Sequence, residues 1–143
     1  MNIINELTLG NQVIIVKKDK QEMVVTVSAI HRNKIAYHER PDRLTWVTVS
    51  NIKPLPITKE FLDRNFKLIE DNPTIDIEVR EEENIYLYEL PIKHTYGKHC
   101  WNYSMSFQGG KCDIHMVQVP SFFYVHNLQN FLKLCNSKIV LKV

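Results

Sequence analysis

The first third of the chain contains short runs of β-branched and aromatic residues, and each run is separated from the next by a few polar residues. Such runs favour β-strands, because branched and aromatic side chains pack well on a pleated surface. Turns this short can connect only antiparallel neighbours. The pattern therefore predicts four antiparallel strands, at residues 13–17, 23–30, 35–37 and 44–49.

A small open sheet built from these strands would leave two edges unpaired, and closing the sheet removes them. We therefore expect an SH3-like β-barrel over residues 1–57. Pro54 and Pro56 then interrupt the strand pattern and predict an extended connector. Thr58 follows as the N-cap of a short helix over residues 59–65.

The rest of the chain predicts an α+β unit over residues 58–143 that packs on the barrel. Alternating apolar and polar residues indicate antiparallel strands. Gly109-Gly110 is typical of a hairpin turn, and residues 91–100 read as a loop. An apolar stripe formed by Val125, Leu128 and Leu132 indicates a C-terminal helix over residues 126–135. The predicted strands cover residues 75–79, 85–90, 101–107, 113–119 and 138–143.

Composition narrows the function classes only slightly. The net charge is +2, with eight Lys/Arg against five Asp/Glu in residues 1–57 and ten against eleven in residues 58–143. The three cysteines cannot all be paired with one another, so we expect reduced thiols and a cytoplasmic location. Neither a signal peptide nor a membrane-length apolar run is present in the sequence, so no membrane partner is expected.

Three segments resemble a group of small uncharacterised proteins from Bacteroides-type bacteria and their phages and mobile elements. Residues 5–13, NELTLGNQV, resemble the group's INELRIGNxV opening. Residues 52–62, IKPLPITKEFL, are similar to IxPIPLTEEWL, and residues 124–131, YVHNLQNF, to YVHQLQNLY. The sequence departs from the pattern at Thr8, Phe61 and Asn127, for example. The resemblance implies an origin and no particular reaction.

A cluster of cysteine and histidine is the sharpest chemical candidate. Cys112-x-x-His115 has chelate spacing, and His99-Cys100 lies on the opposite arm of the predicted hairpin, so four N/S ligands could hold a structural zinc ion. Adjacent strand residues point to opposite faces, however, which favours core and surface roles for these side chains. We expect no cofactor and no enzymatic activity, because neither a Cys–His pair nor the acidic run 81–83 has supporting motifs.

Basic residues of the predicted barrel give a nucleic-acid candidate, because cations can contact phosphates while nearby aromatic rings stack on bases. Tyr37, His38 and Trp46 are interspersed among them. The alternative is that these charges simply solubilise the turns. The candidate nucleic-acid residues are Lys17, Lys18, Lys20, Arg32, Lys34 and Arg43.

The aromatic and polar segment at the start of the C-terminal helix gives a protein-interface candidate. Its polar residues flank the apolar stripe and would face solvent or a partner. The alternative, slightly favoured, is that they fix the start of the helix through hydrogen bonds to backbone. The candidate interface residues are Phe122, Phe123, Tyr124, His126, Gln129 and Asn130.

Together these observations favour a non-enzymatic accessory protein of a phage or mobile element that acts by binding another macromolecule. A protein partner is expected, and homo-oligomerisation is a further option. One alternative is a nucleic-acid-binding module that uses the basic barrel. Another is a minor structural component of a phage particle, which would then be its location instead of the host cytoplasm.

Overall fold

The computed structural model describes residues 3–72, 84–135, 137 and 141–143, with the side chains of residues 70–72 excepted. The chain forms two compact units. The first consists of Met1–Leu55 together with Tyr124–Phe131, and the second of Pro56–Phe123 together with Leu132–Val143. Residues 124–131 are therefore distant in sequence from the rest of the unit to which they belong.

The first unit contains two three-stranded antiparallel sheets, with strand orders β2-β1-β6 and β3-β4-β5. Short 3₁₀ helices at Ile3–Glu6 and Val49–Asn51 and the first two turns of helix α2 complete it. Its strands and the helix are β1 Gln12–Val16, β2 Glu22–Thr26, β3 Ala29–His31, β4 Lys34–Arg40, β5 Arg43–Thr48, β6 Ile52–Pro54 and α2 Val125–Leu134.

Both sheets bury one face in a common hydrophobic cluster. Val13 and Ile15 of β1 and Ile35 of β4 are almost completely buried in it. The alternation along β1, in which every second residue is buried, matches the period-2 pattern of its sequence. Partly buried Ile30 and Val47 pack against the same cluster from β3 and β5. The opposite face of the β3-β4-β5 sheet is consequently left outside this core.

The prediction of an SH3-like barrel is wrong, because no strand ladder joins the two sheets into a closed surface within the described residues. The predicted strand 23–30 is in fact two strands, and the chain changes sheets between them. The Val27 amide donates to the Asn11 carbonyl beside the first sheet, whereas the Ser28 amide donates to Ala36 of the second. The apolar faces are thus covered by packing sheet against sheet rather than by closure.

The second unit is built on a four-stranded antiparallel sheet with the order β10-β9-β8-β7. Helix α1 begins as predicted after Thr58, whose Oγ1 accepts a hydrogen bond of 3.2 Å from the Phe61 amide. Gly109 and Gly110 both have positive φ and form the predicted hairpin turn. The elements are α1 Lys59–Asn65, β7 Lys67–Asn72, β8 Ile85–Tyr96, β9 His99–Gln108 and β10 Lys111–Ile114.

The predicted loop over residues 91–100 is wrong, because β8 continues through Tyr96 and β9 starts at His99. A register shift between Glu89 and Lys93 accommodates Pro91, which cannot donate to a regular ladder. The predicted strand 75–79 and the acidic run 81–83 lie outside the described residues, as does much of the predicted strand 138–143.

Truncating a side chain on one face of the β3-β4-β5 sheet should change the free energy of unfolding far more than truncating one on the other face. Ile35→Ala removes a side chain that is 0% exposed, and we expect it to lower the free energy of unfolding by about 2–5 kcal/mol. Leu44→Ala, on the other face and 41% exposed, should change it by less than about 0.5 kcal/mol. Urea unfolding of both variants measures this difference, and equal losses would contradict the assignment of the faces.

Candidate functional site

A network of polar side chains holds α2 against the N-terminal segment of the first unit. Asn130 Oδ1 accepts hydrogen bonds of 2.8 Å from both Thr8 Oγ1 and Asn11 Nδ2. Asn130 Nδ2 donates to the Glu6 carbonyl at 2.8 Å. Gln129 Oε1 accepts from the Gln12 amide at 2.9 Å, and its Nε2 donates to Gln12 Oε1 at 3.1 Å. We call this network the polar junction.

His126 lies beside the polar junction and is only 1% exposed. Its ring stacks on Tyr124 with 5.9 Å between centroids, and its Nε2 lies 3.6 Å from Glu6 Oε1. Neither ring nitrogen has a hydrogen-bond partner in the part of the chain that the structure describes. Burial lowers the pKa of His126, and this effect outweighs the Glu6 carboxylate, which raises it. His126 is therefore neutral at physiological pH.

The candidate protein-interface residues divide into two groups. His126 is buried, and Gln129 and Asn130 are engaged inside the first unit, so these three are structural contacts. In the second unit, the Phe122 backbone pairs with Cys112 in an isolated bridge, and Phe123 is exposed. Tyr124 is half-buried against His126. The polar positions flanking the apolar stripe thus bind the chain itself, over a much longer sequence distance than a helix-start contact.

The four candidate zinc ligands are not brought together. His99 and Cys100 are exposed near the β8–β9 turn, whereas Cys112 is fully buried in β10. His115 Nδ1 instead lies 2.9 Å from Ser104 Oγ. No group of three or more His, Cys, Asp or Glu side chains suited to a metal ion occurs among the described residues.

The same residues offer little for nucleophilic catalysis. Burial raises the pKa of the Cys112 thiol to about 12, so that it is not a thiolate at neutral pH. The Ser104–His115 pair has the hydrogen bond of a nucleophile and base. Within the described residues, however, no carboxylate is hydrogen-bonded to His115 to orient it as in a hydrolase triad.

The six candidate nucleic-acid residues all belong to the first unit but lie at three separate turns. Lys17, Lys18 and Lys20 surround the β1–β2 turn. Arg32 and Lys34 are at the β3–β4 turn, and Arg43 begins β5, where it forms a 3.7 Å ion pair with Glu39. The sequence did not indicate which of these cations has an aromatic ring beside it.

The aromatic ring that lies near some of these basic residues is Trp46, on one face of the β3-β4-β5 sheet. Trp46 is 46% exposed, and its cross-strand neighbour on this face is Ala36, which in turn pairs with Ala29. Because Ala29 and Ala36 are small, the indole ring of Trp46 projects beyond them from the surface of the sheet. In the neighbouring set of cross-strand pairs, His31 lies opposite Lys34. We call this surface the Trp46 face; it consists of Ala29, His31, Lys34, Ala36, His38, Leu44, Trp46 and Thr48.

The Trp46 face combines a cavity with a positive charge balance. The cavity measures about 610 Å³ and is lined by His31, Lys34 and Trp46 of this face together with Ile30, which also packs against the core. None of the eight side chains on the face is acidic, and the first unit as a whole has eight Lys/Arg against five Asp/Glu. An exposed indole beside cations can stack on a flat ring and contact an anionic group at once. The sequence signal for this face was the set of basic residues with Tyr37, His38 and Trp46 interspersed among them.

Comparisons with known proteins give no further assignment: no protein family matches the chain, and no curated protein or solved structure is significantly similar to it. The origin implied by the resemblance to the Bacteroides-type group therefore remains an expectation. Among the described residues, no helix has the length and apolarity that crossing a membrane requires.

The environment of His126 predicts how stability depends on pH. Because the folded state lowers the pKa of His126, the unfolded chain takes up the proton first, and stability falls as pH drops below about 6.5. His126→Leu removes this term and buries an apolar side chain, so we expect near-neutral stability at pH 7 and a flatter profile between pH 7 and 5. Glu6 is the charged group facing the ring and is unchanged in the variant.

Urea unfolding at several pH values measures the effect. The wild-type free energy of unfolding should fall by up to about 1.4 kcal/mol per pH unit more than that of the variant below pH 6.5. Parallel profiles for the two proteins would show that the His126 pKa is not lowered by folding.

Proposed function

We propose that this protein is a non-enzymatic, macromolecule-binding protein whose first unit binds single-stranded nucleic acid on the Trp46 face. The observation that carries the proposal is the exposed Trp46 ring in a row beside His31 and Lys34, on a sheet face without acidic residues. Part of the indole covers Ala36, which is fully buried, but the 46% of Trp46 that stays exposed is a surface on which a base can stack.

The chemistry of the face fits a single strand better than a duplex. Bases in a duplex are stacked on one another, so an aromatic ring on a sheet can reach only unstacked bases. Lys34 lies next to the ring and Arg32 occupies the adjoining turn, and both can contact the phosphates that flank a stacked base. With two such contacts we expect an affinity that falls as the salt concentration rises.

A protein-binding accessory role in a phage or mobile element is the function that the sequence favours, and a minor structural role in a phage particle is a further alternative. The burial of His126 and the engagement of Gln129 and Asn130 in the polar junction account for three of the residues on which the accessory role depended. The exposed Phe123 still supports it. The nucleic-acid proposal has the stronger support, because the charge and aromatic contacts coincide on one face.

The two tryptophans of the chain, Trp46 and Trp101, allow this face to be observed separately. In a Trp101→Phe variant all tryptophan emission comes from Trp46. Titration with oligodeoxythymidylate of about 16 nucleotides, the upper end of the usual site size of a small single-strand-binding domain, should quench that emission. Unchanged emission at low salt would contradict the proposal.

Substitutions on the face separate stacking from charge. With a labelled oligonucleotide, Trp46→Ala should weaken binding by about 1–3 kcal/mol. Lys34→Ala should reduce the slope of log affinity against log salt by about 0.7. Val24→Ala, an exposed apolar residue of the other sheet, is the matched control and should leave affinity unchanged.

A further inference from the structure

In the second unit, strands β8 and β9 continue past the four-stranded sheet as a two-stranded ribbon. Strand β7 pairs with β8 only as far as Glu89, and β10 pairs with β9 only from Met105. Between them β8 and β9 continue to pair with each other, from Lys93 opposite Asn102 to Tyr96 opposite His99. None of residues 91–103 is buried. We call residues 91–103 the ribbon.

One face of the ribbon is aromatic because it continues a core face of the sheet. Met105 and Phe107 of β9 are buried in the second unit, and strand alternation places Tyr103, Trp101 and His99 on the same side. On β8, His94 and Tyr96 pair with Trp101 and His99 and share this side. The aromatic face of the ribbon therefore consists of His94, Tyr96, His99, Trp101 and Tyr103.

Some of these rings stabilise the ribbon itself. His94 and Trp101 have centroids 4.6 Å apart, and His94 Nδ1 lies 2.6 Å from the Tyr103 hydroxyl. An isolated two-stranded ribbon is marginal in water, and cross-strand aromatic pairs of this kind support it. Tyr96 is different: it is 75% exposed at the end of the ribbon. Internal packing accounts for the inner rings but not for Tyr96.

The ribbon carries a positive charge, which is complementary to a polyanion. The ribbon contains two lysines, two histidines and no aspartate or glutamate, although the second unit as a whole has ten Lys/Arg against eleven Asp/Glu. Glu89 accepts a hydrogen bond from Asn102, on the face opposite the aromatic rings. Lys98 follows Gly97 in the turn, directly between Tyr96 and His99. A cation and an exposed phenol ring therefore occupy the same end of the ribbon.

We infer that the ribbon is a second binding element, for a single strand of nucleic acid, in which Tyr96 stacks on a base and Lys98 contacts phosphate. An exposed aromatic ring beside a cation, as Tyr96 is beside Lys98, is the combination that binds single strands with little sequence preference. The ribbon belongs to the second unit, so its binding does not require the Trp46 face; it extends the ligand class of the proposed function to a separate site.

Trp101 provides a direct probe of the ribbon. In a Trp46→Ala/Lys34→Ala background the first-unit face is disabled and Trp101 is the sole tryptophan. The same oligodeoxythymidylate should quench its emission in a saturable, salt-dependent way. Adding Tyr96→Ala should weaken this binding roughly 5- to 100-fold, and adding Lys98→Ala should lower the salt slope by about 0.7.

Thr95→Ala is the matched control, because Thr95 lies next to Tyr96 on the opposite face of the ribbon and is exposed. It should leave the affinity unchanged. Far-UV circular dichroism of each variant checks that the sheet is intact. Constant Trp101 emission at low salt, equal affinity for a duplex of the same sequence, or an unchanged affinity after Tyr96→Ala would each overturn the inference.

This design separates the two proposals. If Trp46 fails to respond in the Trp101→Phe protein while Trp101 responds in the double variant, the proposed function of the first unit is wrong and the ribbon stands. The reverse result overturns the ribbon and leaves the Trp46 face in place.

Discussion

The polar junction is the interaction on which the first unit depends. Asn11 is fully buried, and a buried amide must have its donors and acceptors satisfied or destabilise the fold. Its Oδ1 accepts from the Thr8 amide, and its Nδ2 donates to Asn130. Residues 124–131 also supply the partner of the Gln12 amide. A segment more than a hundred residues away thus completes the opening turn from which β1 starts.

This arrangement explains which parts of the chain are available for binding. Two of the three segments carrying the resemblance, residues 5–13 and 124–131, meet at the polar junction, so their polar residues serve internal contacts. The exposed rings lie elsewhere: Trp46 on a sheet face of the first unit, and Tyr96 at the end of a ribbon in the second. Each has a lysine near it: Lys34 lines the same cavity as Trp46, and Lys98 lies two residues after Tyr96 in the turn.

Sequence reasoning was most successful where local chemistry decides the structure. The Thr58 cap, helix α1 and the Gly109-Gly110 turn each depend on neighbouring residues, and each was predicted. It failed where long-range pairing decides. The change of sheet between Val27 and Ser28 replaces the expected barrel, and the ribbon forms because β8 and β9 support each other past Pro91. In the sequence, the only indication of the Trp46 face was a set of basic residues with ring-bearing side chains interspersed among them.

A double-mutant cycle between Asn11→Ala and Asn130→Ala tests the central claim, that a side-chain contact across 119 residues holds the first unit together. Unfolding free energies of the two single variants and the double variant give the coupling. Each single substitution should cost about 1–3 kcal/mol, and the double variant should cost less than their sum by about 0.5–3 kcal/mol. Strict additivity would mean that the two amides do not depend on each other, and would contradict this account.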